Sequence, residues 1–172
     1  MILGHLTGVG GLLDGLLHPF SGLDHFLAFF TVGVLATLLR KQVRWWALPS
    51  VFVGAMAVGG AVGMAGVGVT HGETLVAASV VVLGVLLVIA PLATERVGVV
   101  ISLLTATALL HGIAHGTELP ESAHPALYAA GFLTSTATLH LSGVAAGHAI
   151  ERSTWVRAAL GAGVAVVGLA LL

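Results

Sequence analysis

Two short histidine-rich segments stand out in a chain otherwise poor in ionisable groups. The first is His18-Pro19-Phe20-Ser21-Gly22-Leu23-Asp24-His25, and the second is His111-Gly112-Ile113-Ala114-His115-Gly116-Thr117-Glu118. On a continuous helix His18 and His25, seven residues apart, lie two turns apart on one face. Asp24 then sits about 100° round from His25, placed to ligate beside it or to support it from behind. Positions 111, 115 and 118 follow an i, i+4, i+7 stripe, the helical spacing that best makes side chains converge. Two imidazoles and a carboxylate on one face form a donor set for a divalent first-row metal, combining borderline nitrogens with a hard oxygen. The chain has no Cys and three Met, which excludes thiolate chemistry and disfavours a copper(I) relay.

The elements that hold these residues follow from composition. Of 172 residues, 58% are hydrophobic and 8% charged, whereas a soluble domain carries about 25% charged residues. Six Lys+Arg against seven Asp+Glu leave a net charge of −1. There is too little charge to coat a soluble enzyme and no basic excess for a nucleic-acid partner. The chain is far too apolar to stay disordered. The expected fold class is an all-α membrane protein, a single transmembrane domain over 1–172. A spanning helix needs roughly 20 apolar residues, and charges and prolines divide the chain into six spans at about 17–39, 45–69, 75–92, 97–115, 125–150 and 155–172. The apolar runs are continuous and do not alternate, which argues against a β-barrel. The 24 Gly suit close helix packing.

With six alternating spans, Arg40, Lys41, Arg44, Arg96, Arg152 and Arg157 all fall on one side. The positive-inside tendency makes that side cytoplasmic and places both termini outside, as expected for a multi-pass protein of a prokaryotic plasma membrane. Residues 1–17 are too short and Gly-rich to span, and they lack the basic region and cleavage site of a signal peptide. Both His/acid clusters then lie towards the outer ends of their spans. One span runs inward and the other outward, a pattern compatible with 3+3 inverted halves that meet at the site. His5, His71, Glu73, His140 and His148 are further path candidates. For His140 or His148 alone, a plain interhelical hydrogen bond is as good a reading, and the same holds for His71 and Glu73 in their loop.

The two clusters resemble the HPxxGxDH and HGxAHGxE signatures of the HupE/UreJ family of hydrogenase- and urease-associated metal permeases. Gly4-His5-Leu6-Thr7-Gly8, Glu73 through Ser79 and Ala137-Thr138-Leu139-His140 also resemble family segments, so the resemblance covers essentially the whole chain. It implies a six-helix permease for Ni²⁺ or Co²⁺, with His18, Asp24, His25, His111, His115 and Glu118 as metal residues.

The expected function is therefore import of Ni²⁺ or Co²⁺ along a His/Asp/Glu-lined path, with Zn²⁺ also suited to such ligands. The metal is cargo, no permanently bound cofactor is expected, and neither is enzymatic activity. Expected partners are the divalent ion and the lipid bilayer, with no nucleic acid, and self-association into a homo-oligomer is left open. No phosphate-binding G-x-x-x-x-G-K-[ST] motif occurs. The membrane potential alone is worth about 4.6 kcal/mol per 100 mV for a 2+ ion. Metal binding needs deprotonated ligands, so uptake is expected to fall at acid pH. The competing readings are an intramembrane zinc-dependent hydrolase, whose metal would keep one position open for water, and a metal-binding sensor without flux.

Overall fold

The computed structural model describes residues 10–90, 93–117 and 124–172. Among them all regular structure is helical: α1 (Gly10–Ser21), α2 (Leu23–Leu38), α3 (Ala47–Met64), α4 (Gly72–Ile89), a single 3-10 turn (Ala93–Arg96), α5 (Val97–Thr117), α6 (Pro125–Ile150) and α7 (Thr154–Ala170). Helices α3, α4 and α5 are long and apolar enough to cross a membrane, and the bent pair α1–α2 is a fourth candidate if its two halves count as one span. Helix α7 is apolar and 17 residues long, and α6 is the longest at 26. Large apolar side chains such as Val58, Val85, Val99, Leu141 and Val166 remain exposed on the outside of the bundle, the surface a lipid environment would cover.

The first expected span requires correction. Residues 17–39 do not form one helix: α1 begins at Gly10, and α1 and α2 meet at a bend of 82°. Pro19 lies inside α1 and has no N–H to donate to the carbonyl one turn back, which weakens the helix just before its end. Gly22 then turns extended, at φ −115 and ψ 130, and its carbonyl accepts the Phe26 N–H at 3.1 Å to restart the ladder. Elsewhere the boundaries move by a few residues. The second span starts at Ala47, leaving Trp45 and Trp46 in the preceding turn, and it stops at Met64. The third starts earlier, at Gly72, the fourth extends to Thr117, the fifth matches, and the sixth is Thr154–Ala170.

Three seams hold the bundle together, and glycine sets each. Gly11 faces His124, Gly15 faces Tyr128, and the Ser135 hydroxyl donates to the Leu16 carbonyl at 2.6 Å. Further along, Gly33 faces Gly143, and the Thr37 hydroxyl donates to the Val144 carbonyl at 3.0 Å. Helices α1 and α2 therefore both advance along α6 in the same direction as its chain, one after the other, each crossing it at an angle because of the bend between them. In the second seam Gly112 meets Met56 and Gly60, and Gly116 meets Gly60 and Gly63, so α3 and α5 are parallel. In the third, Gly84 faces Gly161 and Ala165 while Gly168 faces Ala77 and Val81, so α4 and α7 are antiparallel. Helix α2 is the centre, with nearly every residue from Ala28 to Thr37 buried.

A Cβ on Gly112 would land on the Met56 carbonyl oxygen of the neighbouring helix. That atom is backbone and cannot swing aside. Gly112→Val is therefore expected to cost at least the 1–3 kcal/mol or so typical of overpacking, read as a lower thermal midpoint in detergent. Gly54, which has open space around it, should tolerate alanine with no change.

Candidate metal centre

The break after Ser21 builds the site. On an unbroken helix, seven residues would separate His18 and His25 by about 10.5 Å along the axis. With the bend, their ring centroids are 5.5 Å apart. His115, from the last turns of α5, completes the group, 4.7 Å from His18 and 4.4 Å from His25. One nitrogen from each of the three lies within 4.8 Å of the others. Donor atoms around a tetrahedral ion bound at about 2.05 Å stand roughly 3.3 Å apart, so a small inward movement of three side chains seats a metal. His111 lies beside the triad, 5.5 Å from His25.

The supporting contacts choose which nitrogens are presented. The Asp24 carboxylate is 2.5 Å from His25 Nδ1 and also accepts the His25 backbone N–H at 2.8 Å. A carboxylate on one ring nitrogen fixes the tautomer and directs the other towards a metal. His25 Nε2 is indeed buried with no hydrogen-bond partner. His111 Nδ1 donates to the Thr107 carbonyl at 2.9 Å, and its buried Nε2 likewise has none. Both nitrogens of His115 are unpartnered, although the residue is only 6% exposed. Orphaned buried polar atoms carry a cost of about 1–3 kcal/mol each, so a cluster of imidazole nitrogens in this state fits a site built for a cation.

Asp24 is thus a support for His25, one of the two roles its sequence position allows. A Cβ at Gly22 would sit 2.5 Å from Asp24 Oδ1 and 2.8 Å from His25 Nδ1. The glycine of the first motif is therefore needed for space, a role the spacing alone does not reveal. Gly22→Ala and Asp24→Asn are each expected to weaken metal binding by 10- to 100-fold or so, the range for residues that orient a ligand. Titration with Co²⁺, whose visible bands report nitrogen ligation, checks this, and unchanged affinity in both would remove Asp24 from the site.

Aromatic rings wall the group. Phe132 on α6 lies 4.5 Å from His115 and 5.8 Å from His18, and Tyr128 lies 5.9 Å from His18. Neither residue stands out in the sequence, where aromatics at i and i+4 read as ordinary helix packing. A cavity of about 140 Å³ between α3, α5 and α6 reaches His115 past Met56, Met64 and Phe132. On the other side, Phe29 and Phe52 pack edge-on at 5.6 Å. Phe29 touches His25, His111 and His140, and Phe52 touches His111 and His140. His140 therefore lies beyond an apolar layer, 2% exposed, with both nitrogens unpartnered.

The other candidates separate into distinct places. Glu73 is exposed and lines a cavity with Leu110, Ala114 and Thr117, on a different side of α5 from His111 and His115. His71 is exposed just before α4. His148 is exposed, with Nδ1 donating to the Val144 carbonyl at 2.9 Å. None of the three belongs to the triad. His5 and Glu118 lie outside the described residues.

Fold and site together define a helical membrane protein with a histidine-lined centre at the junction of a broken helix. Residues 2–171 match the family described as HupE / UreJ protein. The chain is also 39% identical over 175 residues to Protein HupE of Rhizobium leguminosarum bv. viciae, covering 94% of this chain and 84% of that one. The chain belongs to the HupE/UreJ family, as its two motifs indicate. No solved structure matches it.

Proposed function

We propose that the protein carries a divalent first-row metal ion, Ni²⁺ or Co²⁺ by its family resemblance, across the bacterial plasma membrane, and that it is a permease with no enzymatic role. One observation carries this reading: imidazoles from α1, α2 and α5 bring one nitrogen each within 4.8 Å of the others, and the buried nitrogens His25 Nε2 and both of His115 have no hydrogen-bond partner. The ion sheds water at His18, His25 and His115, with His111 adjacent. It then passes the Phe29–Phe52 layer to His140, which borders a cavity of about 440 Å³ reaching Trp45 and Trp46.

A six-span topology with both termini outside is part of the proposal, and the helix directions support it. If α1–α2 counts as one crossing, strict alternation makes crossings one and five parallel, two and four parallel, and three and six antiparallel. The glycine seams run in these directions. Exchanging the first three crossings for the last three maps the three main pairings onto themselves, which supports inverted halves. The broken first crossing follows the transporter pattern in which interrupted helices build the cargo site.

A hydrolase with zinc on the same three histidines would use the triad alone, whereas a path gives a use to His140, whose two buried nitrogens have no hydrogen-bond partner. The test is flux of Ni²⁺, Co²⁺, Zn²⁺ and Mn²⁺ into proteoliposomes holding the purified protein. Selective flux is expected, and tight binding without flux would overturn the transport reading in favour of a sensor or an enzyme.

A further inference from the structure

At the end of the bundle opposite the histidine site, the last turns of α2, α4 and α6 surround a cavity of about 350 Å³. Four cationic side chains line it, Arg40, Lys41, Arg152 and Arg157, against the single carboxylate of Glu151. Arg40 is already committed: it pairs with Glu151 and donates to the Thr37 carbonyl at 3.1 Å. Among the described residues no carboxylate pairs with Lys41, Arg152 or Arg157.

Part of this charge has an internal explanation, since cations at helix C-termini offset the negative end of the backbone dipole. Arg157 does not fit that account. It belongs to the first turns of α7, where the dipole end is positive, and it is 8% exposed with Nε making no hydrogen bond. A buried guanidinium at the wrong end of a helix, beside two more unpaired cations, costs stability unless an anion joins it. The surroundings point to where that anion comes from. Trp45, Trp46 and Trp155 are all exposed at this end, Trp155 at 87%, and tryptophans gather at the membrane–water interface.

We propose that this cavity is a binding site for a phosphate-bearing anion, supplied by the headgroup of an anionic phospholipid and held by Arg157, Arg152 and Lys41. Guanidinium groups suit phosphate because their fork of donors matches its oxygens, and basic pockets between helices at the membrane surface are known to take such headgroups. The site is separate from the metal path, and it stands or falls without it.

The test compares purified protein in nanodiscs of phosphatidylcholine with and without phosphatidylglycerol, read by native mass spectrometry and thermal midpoint. Wild type is expected to retain phosphatidylglycerol selectively and to melt at a higher temperature with it. Arg157→Gln should retain it about tenfold less, the scale of one lost charged hydrogen bond. Because a buried arginine can be needed for folding, the exposed pair Lys41→Gln/Arg152→Gln provides a second arm with the same expected loss. Arg96→Gln, away from the cavity, should behave as wild type. If inorganic phosphate added in detergent raises the midpoint through the same residues and phosphatidylglycerol adds nothing, the anion site stands and its source is soluble phosphate. If neither anion distinguishes wild type from these variants, the proposal fails.

Discussion

Replacing His115 by alanine is expected to cut metal uptake into proteoliposomes by about 100-fold or more, above the range for loss of a merely supporting residue. Its ring is the one that meets both His18 and His25 closely, at 4.7 and 4.4 Å. Without it, α5 keeps only His111 beside the site, 5.5 Å from His25, and the three-histidine group is broken. The truncation leaves a cavity where the buried ring packs against His18, His25 and Phe132, a cost offset in part because the ring's two buried nitrogens have no hydrogen bonds to lose. The thermal midpoint of the variant should therefore fall by a few degrees, with the protein still folded, while Co²⁺ binding at the triad disappears. Glu73→Gln and His148→Ala serve as controls, lying outside the triad, and both are expected to keep most of the flux. Wild-type flux in a well-folded His115→Ala protein would show that the triad is not on the path.

Much of the site could be read from the chain because its chemistry is local in sequence. Histidine spacing on helical stretches placed His111 and His115 on one face, and both are buried on the inner side of α5. Of the two motifs, the structure brings together His18 and His25 of the first with His115 of the second, and His111 beside them. What spacing could not supply is the break at Gly22, because hydropathy averages over a window and is blind to direction: apolar residues on both sides of a bend read as one run. Pro19 and Gly22 were the available signals, three residues apart, and their joint effect is visible only when α1 and α2 are seen packing in turn along α6. The same limit explains Glu73. Its position beside a polar loop suggested a path residue, yet the rotation of α5 relative to α4 decides which side it reaches, and that is fixed by the glycine seam with α3. Phe29, Phe52 and Phe132 were illegible for a different reason, since aromatic residues in an apolar helix carry no mark of what they will touch.

His140 offers the sharpest separation between a path and a closed site. Beyond the Phe29–Phe52 layer it is buried beside the cavity that reaches Trp45 and Trp46, and its two nitrogens find no partner. For the fold alone this is a liability, because a buried unsatisfied polar group costs about 1–3 kcal/mol, whereas an apolar residue of similar size costs nothing of the kind. His140→Leu is therefore expected to raise the thermal midpoint and to leave Co²⁺ binding at the triad unchanged, while lowering flux by about tenfold, a loss of roughly 1.4 kcal/mol at one station. Each alternative predicts a different combination. A hydrolase or a sensor confined to the triad would gain stability and lose nothing else. A histidine kept only for packing would lose stability and leave flux unchanged. A more stable protein that binds metal normally and passes it slowly is the outcome that a transport path requires, since there the unpaired nitrogens are retained for an ion that stays only briefly.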